Sequence, residues 1–213
     1  MKIILDSNSQ SIQLLCSKDK RLAKVIKIIG PISYETHTDS YVFLIHEIIE
    51  QMLSIKSGQV IFQRFVDLCD GNITAEAVNS LTDEQIRSIG TANAKVGYIR
   101  SLTEQVVAGN IDFKELECLP DEQVMKRLQT IHGIGKWTAK MYMIFVLNRQ
   151  DILPVEDVAF LQGYRWLYKT DDTSPKAVEK KCRKWKPYSS IAARYLYKAV
   201  DKGLTKSTFH LYK

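Results

Sequence analysis

Leu128-Gln129-Thr130-Ile131-His132-Gly133-Ile134-Gly135-Lys136-Trp137-Thr138-Ala139 is the stretch whose reading decides the fold. One helix stops, the four residues His132–Gly135 turn the chain, and a second helix starts at once. Two glycines let the backbone take positive φ and approach another surface without a Cβ in the way. The N–H groups at the start of the second helix then point outward beside its positive dipole end, which makes an anion site suited to a phosphate. Ile134 points back and locks the two helices together. A contact of this kind positions a polyanion without reading its sequence. A plain helix–helix turn can also carry Gly-x-Gly, so the rest of the chain must decide.

Outward from the hairpin the punctuation is helical. Tyr41–Leu53 is apolar and long enough for a buried helix, and Ser57–Leu68 places Val60, Ile61, Phe65 and Leu68 at helical spacing. Thr82 with Gln85 forms a capping box, and Gly90 sits where a C-terminal cap belongs. Asn93–Val107 follows, closed by Gly109, and Asp121 is expected to cap a helix that ends near Gln129. Gly135–Leu147, Glu156–Tyr168, Ser174–Lys184 (Ser cap, Pro175 in the first turn) and Pro187–Val200 complete the series. Period-two alternation is confined to one short strand candidate within Met1–Leu15. The pattern predicts an all-α fold, with no repeats or flexible linker. It divides into an N-terminal segment 1–40, a helical core 41–150 holding the hairpin, and a basic end 151–213. The first segment is expected to pack with the last.

The 213 residues suffice for a core in one domain or two interlocked subdomains. No stretch approaches the roughly 18 apolar residues of a membrane helix, and residues 1–15 lack the features of a signal peptide, so a cytoplasmic location is expected. Cys16, Cys69, Cys118 and Cys182 are scattered, as are four histidines, with no spacing suited to zinc or an iron–sulfur cluster. Charge is uneven: from Ser174 onward eleven Lys or Arg face only Glu179 and Asp201, a net of +9 within the total of +6, leaving −3 on residues 1–173. A basic end on a slightly acidic body permits a polyanionic partner, or is a solvated lysine-rich face.

About twenty residues beyond the hairpin comes Leu153-Pro154-Val155-Glu156-Asp157-Val158-Ala159-Phe160. Pro154 forces an extended approach, and Asp157 falls at the start of an otherwise apolar helix. An N-cap is the ordinary reason for Asp there. A second reason is chemical. Breaking an N-glycosidic bond builds positive charge on the sugar, and one preorganised carboxylate can stabilise that charge and orient or deprotonate the attacking water. Glu156 competes for the role from a different face of the turn.

Four stretches together resemble the helix-hairpin-helix DNA glycosylases, the HhH-GPD superfamily, and within it the 3-methyladenine DNA glycosylase II branch. They are Glu50-Gln51-Met52-Leu53-Ser54-Ile55-Lys56, Ile131-His132-Gly133-Ile134-Gly135-Lys136-Trp137-Thr138-Ala139, Pro154-Val155-Glu156-Asp157, and Trp185-Lys186-Pro187-Tyr188-Ser189-Ser190-Ile191-Ala192-Ala193-Arg194-Tyr195-Leu196-Tyr197. The resemblance runs from about Tyr41 to Lys202. It implies two helical subdomains with a cleft between them, and a hydrolase of base excision repair that flips alkylated purines out of double-stranded DNA and cleaves them off. By the same resemblance Asp157 is the catalytic carboxylate, and Trp137, Met141 and Tyr197 line the base pocket. Gly133, Ile134, Gly135, Lys136 and Thr138 hold DNA, while Met52 fills the space left by the flipped nucleotide. The backbone carbonyls of Gln129, Ile131 and Ile134 match those that can hold a monovalent cation, Na+ or K+; no other cofactor is implied. A monomer is expected.

Departures from the family pattern bear on activity. Where bifunctional relatives carry a nucleophilic Lys, position 137 is Trp, and Lys136 lies about 100° around the helix. That implies a monofunctional enzyme. His132 replaces the usual hairpin Pro, Met52 replaces the second residue of a Gln-Gln pair, and Tyr188-Ser189 replaces Trp-Arg. Two other readings compete: a bifunctional oxidised-purine glycosylase/lyase, and a noncatalytic helix-hairpin-helix DNA-binding module.

Overall fold

A two-stranded ribbon opens the chain. In the computed structural model, which describes residues 2–211, β1 (Lys2–Leu5) pairs antiparallel with β2 (Ile32–Glu35), Lys2 opposite Glu35 and Leu5 opposite Ile32. Between the strands lie α1 (Gln10–Lys18) and α2 (Lys20–Ile29). The strand expected within Met1–Leu15 is thus confined to Lys2–Leu5, and the chain is helical from Gln10. Met1, Tyr212 and Lys213, at the ends of the outer expected segments, lie outside the described residues. The apolar stripe Leu22, Val25, Ile26 and Ile29 in α2, all buried, was a legible helix signal. Asp19 separates the two helices and caps the second, accepting from the N–H groups of Arg21 and Leu22.

Eight helices follow: α3 (Ser40–Glu50), α4 (Ile55–Leu68), α5 (Ala75–Ser80), α6 (Asp83–Ser88), α7 (Asn93–Val107), α8 (Phe113–Cys118), α9 (Asp121–Leu128) and α10 (Lys136–Phe145). The capping box at Thr82 and Gln85 is formed, and Gly90 closes its helix at φ 96°. At α9 the expectation needs correction. Pro120 occupies the cap position and offers no side-chain capping bond, and Asp121 is the first helical residue, where its charge meets the positive end of the dipole.

Then come α11 (Val158–Tyr168), α12 (Pro175–Cys182) and α13 (Ser189–Asp201). Ser174 sits at the cap of α12 but makes no capping bond, because its hydroxyl donates to Asp172 Oδ1 at 2.7 Å. The helix ends at Cys182 and a 3-10 turn, Arg183–Trp185, follows.

The all-α expectation holds, the ribbon being its one departure among the described residues. Two compact units emerge: His37–Leu147, and the chain through Thr36 joined with the chain from Asn148 on. The divisions fall a few residues before the expected 40/41 and 150/151. In the split unit, Leu15, Leu22, Phe160, Leu167, Trp185, Tyr195 and Leu196 form the fully buried centre. Gly163 lets α13 approach α11, since a Cβ there would stand 2.9 Å from Leu196 Cβ. A buried polar knot completes this core. Asp19 accepts from Tyr168 Oη, from Trp185 Nε1 at 2.9 Å and from Lys184 Nζ at 3.1 Å. Burial by itself would raise the Asp19 carboxyl, but those hydrogen bonds and the Lys184 charge outweigh it and hold the group below its ordinary value.

Candidate active site

The hairpin belongs to the continuous unit, where α9 and α10 pack together. Gly133 takes φ 90°, and a Cβ on it would lie 2.1 Å from Tyr98 Cγ, so glycine is required twice over. Gly135 differs from the expectation. Its φ is −92°, open to any residue, and it serves as the N-cap of α10, with no side chain capping the helix. Among the described residues nothing accepts from the N–H groups of Gly135 and Lys136. Both residues are exposed. N–H groups so placed at a helix start are able to accept an anion.

Ile134 is buried, and its N–H donates to the Ile131 carbonyl at 3.0 Å. Thr138 is only 2% exposed. Its hydroxyl lies 3.4 Å from Gln51 Nε2. Met141, on α10, is 4% exposed, while Trp137 is half-buried.

The hairpin is tied to two neighbours. On α7, Ser101 Oγ accepts from the His132 N–H at 3.1 Å, and the Tyr98 ring meets the His132 ring edge-on. At the end of α3, Gln51 Nε2 donates to the Gly133 carbonyl at 2.9 Å. Lys95 Nζ donates to the carbonyls of Ile49 and Gln51, at 2.7 and 2.6 Å, and so caps α3 from α7. Burial lowers the Lys95 ammonium below its ordinary value. Gln51 is therefore the strut between hairpin and turn, and Lys95 ties that turn to α7. Gln51 lay within the first motif, but its partner could not be read there.

That turn presents Met52 fully exposed at φ 58°, with Leu53 beside it also exposed. An apolar side chain on a left-handed backbone in water is unfavourable twice: the conformation costs about 1–2 kcal/mol and the surface is unburied.

The split unit holds the acid. Asp157 is the N-cap of α11, accepts from the Phe160 N–H at 2.7 Å and is 9% exposed, whereas Glu156 is exposed. The turn preceding it is tight, with the Asp157 N–H donating to the Pro154 carbonyl at 3.0 Å. The two readings of Asp157 are compatible: the cap orients the carboxylate. Tyr197 on α13 is partly buried against the same core. On the same helix the buried Arg194 guanidinium lies 3.7 Å over the Tyr34 ring. Among the described residues no three His, Cys, Asp or Glu side chains gather as a metal site. No described helix is long and apolar enough to cross a membrane.

Residues 45–187 match the HhH-GPD superfamily base excision DNA repair proteins. The chain belongs to that family. Among its HhH-GPD relatives is DNA-3-methyladenine glycosylase 1 of Schizosaccharomyces pombe, 33% identical, aligned over 84% of this chain and 80% of the relative. The alkylbase DNA glycosidase-like protein mag2 of the same yeast is 29% identical, over 86% and 89%. A solved DNA-3-methyladenine glycosidase from Bacillus halodurans superposes with a TM-score of 0.87 at 33% identity, covering 98% of this chain and 97% of the other. The S. pombe 3-methyladenine DNA glycosylase in complex with abasic DNA gives 0.83 at 28% identity, over 96% and 100%.

Proposed function

We propose that this HhH-GPD protein is a monofunctional DNA glycosylase that hydrolyses alkylated purines, of the 3-methyladenine kind, from duplex DNA. The observation that carries the reading is Asp157, a buried carboxylate oriented by the first turn of α11 in the sequence context Pro154-Val155-Glu156-Asp157. The names of the relatives support it, as does DNA in one related structure.

The hairpin takes a backbone phosphate on the N–H groups of Gly135 and Lys136, with the Lys136 ammonium beside them. Gly133 and Ile134 shape that hairpin. The carbonyls of Gln129, Ile131 and Ile134 would hold a monovalent cation there. They are neutral oxygen donors, which suits Na+ or K+, and the Ile131 oxygen would share itself with the Ile134 N–H. Met52 enters the base stack in place of the flipped nucleotide, exchanging water for apolar contact. In the reaction the C1′–N bond breaks and its electron pair leaves with the base. Asp157 faces the positive charge on the sugar, takes a proton from water, and the water oxygen bonds to C1′. A cationic alkylpurine leaves readily, and the electron-rich faces of Trp137 and Tyr197 favour it. Trp at position 137 offers no amine for a Schiff base. The protein acts as a monomer.

The test is single-turnover excision of 3-methyladenine, 7-methylguanine and 8-oxoguanine from otherwise identical duplexes. 3-Methyladenine should leave fastest and borohydride should trap no adduct. Asp157→Asn should lose on the order of a hundredfold or more, with DNA affinity intact, and Glu156→Gln little. Excision by folded Asp157→Asn near the wild-type rate would overturn the assignment, and fastest release of 8-oxoguanine would overturn the pocket.

A further inference from the structure

The loop that delivers Asp157 is fastened to the start of α13 by residues to which nothing above gives a role. Ser190 is 2% exposed, and its hydroxyl serves both polar groups of one distant residue. It accepts from the Ile152 N–H at 2.9 Å and donates to the Ile152 carbonyl, 3.2 Å away. The Ser190 N–H donates to the Gln150 carbonyl at 2.9 Å. Beside it, Asp151 Oδ1 accepts from the Ser189 hydroxyl at 2.6 Å and from the Ser189 N–H at 3.3 Å. The other Asp151 oxygen lies 3.5 Å from Lys186 Nζ. Helix α13 has no side-chain cap of its own from Tyr188, so Asp151 caps it from the far loop.

These bonds fall on three consecutive residues, Gln150 to Ile152, and the chain beyond them has little slack. Pro154 fixes its own φ. The Val155 N–H donates to the Leu153 carbonyl at 3.0 Å and the Asp157 N–H to the Pro154 carbonyl at 3.0 Å. A displacement at Ile152 is therefore passed to the Asp157 backbone instead of being absorbed. Ile152 is itself buried, so losing the hydroxyl strands two main-chain groups away from water. We propose that Ser190, assisted by Asp151, is a positioning residue that sets the place of the Asp157 carboxylate. The inference rests on Asp157 being the catalytic group. It gives the Ser189-Ser190 pair of the fourth motif a purpose separate from that of Tyr197, two turns further along the same helix.

The test compares full-length Ser190→Ala, Asp151→Ala and Asp151→Asn with the unaltered chain, well below their melting temperatures. Three quantities are read: the single-turnover excision rate at saturating protein, the affinity for the same duplex carrying an abasic analogue, and hydrogen exchange of the Ile152 amide. Ser190→Ala and Asp151→Ala should excise roughly ten- to a hundredfold more slowly, the scale expected for a misplaced catalytic group. Affinity for the abasic duplex should stay within about threefold, since the hairpin is untouched. Asp151→Asn keeps an oxygen for Ser189 and should restore most of the rate. Ile152 exchange should quicken in Ser190→Ala. A folded Ser190→Ala with faster Ile152 exchange and an unchanged excision rate would overturn the proposal. So would a rate lowered only in proportion to the unfolded fraction. If Ser190→Ala does not fold, the two Asp151 variants decide, and equal rates in both would overturn it. An unaltered chain that excises nothing would overturn both this inference and the function on which it rests.

Discussion

Gly133→Ala tests the geometry of the hairpin most directly. The substitution meets two separate obstacles. At φ 90° an L-residue is on the left-handed side of the map, which costs about 1–2 kcal/mol. The new Cβ would also stand 2.1 Å from Tyr98 Cγ, where 3.4 Å is the near edge of ordinary contact. Moving a half-buried ring or the hairpin to make room costs a further ~1–3 kcal/mol, as for other overpacked sites. The total is about 2–5 kcal/mol by the same reckoning. The two parts can be separated. In a Tyr98→Gly background the ring is gone together with its Cβ, which would stand 2.6 Å from the new atom, so Gly133→Ala should cost only the conformational part, and the coupling between the two sites should be about 1–3 kcal/mol. Urea unfolding of the four proteins measures this, and duplex binding should weaken wherever the hairpin is displaced. If Gly133→Ala costs the same with and without Tyr98, the ring is not what demands glycine. If it costs less than about 1 kcal/mol in both, the hairpin is not held in this conformation.

Met52→Gly removes the left-handed strain together with the exposed side chain, so stability should be unchanged or higher while excision falls at least ~tenfold, the scale of a lost apolar wedge; a stability loss on thermal melting would refute the strain. The depressed Asp19 carboxyl contributes stability that is present above its unfolded value of about 3.9 and lost as pH falls through its folded value. Asp19→Asn should therefore be less stable at pH 7, and its stability should fall less steeply below about pH 4; parallel pH profiles would count against the buried knot. Duplex affinity should drop steeply with salt, by about 0.9 in log K per unit log salt for each phosphate neutralised. A flat dependence would make the basic C-terminal region a solvated face and remove the phosphate from the hairpin.

Residues whose work is local were legible in the sequence. The hairpin could be read because a glycine turn between two helices needs only its own backbone, and the capping box at Thr82 and Gln85 because cap and partner lie three residues apart. Asp157 could be placed at a helix start for the same reason. Some errors were also local. Gly135 was credited with a positive φ that only Gly133 takes, and Ser174 was expected to cap a helix although Asp172 engages its hydroxyl. The stripe of α2 carries a helical period, whereas β2 is too short to show a period.

Other features depend on partners far along the chain. Thr138 and Met141 look like site residues in sequence, and only packing shows them buried. Gln51 finds Gly133, Lys95 finds the end of α3, Ser190 finds Ile152, and Asp19 finds Tyr168, Trp185 and Lys184. Hydrogen bonds of this kind act over about 3 Å and leave no periodic trace in the residues between. By itself the sequence determined the helical class, the hairpin and the acidic pair Glu156-Asp157 ahead of α11, because dihedral preference, capping and spacing are properties of neighbours. Only the tertiary structure decided which side chains are buried, which turn braces the hairpin and what holds the Asp157 loop, because desolvation and hydrogen bonding depend on where the rest of the chain has folded.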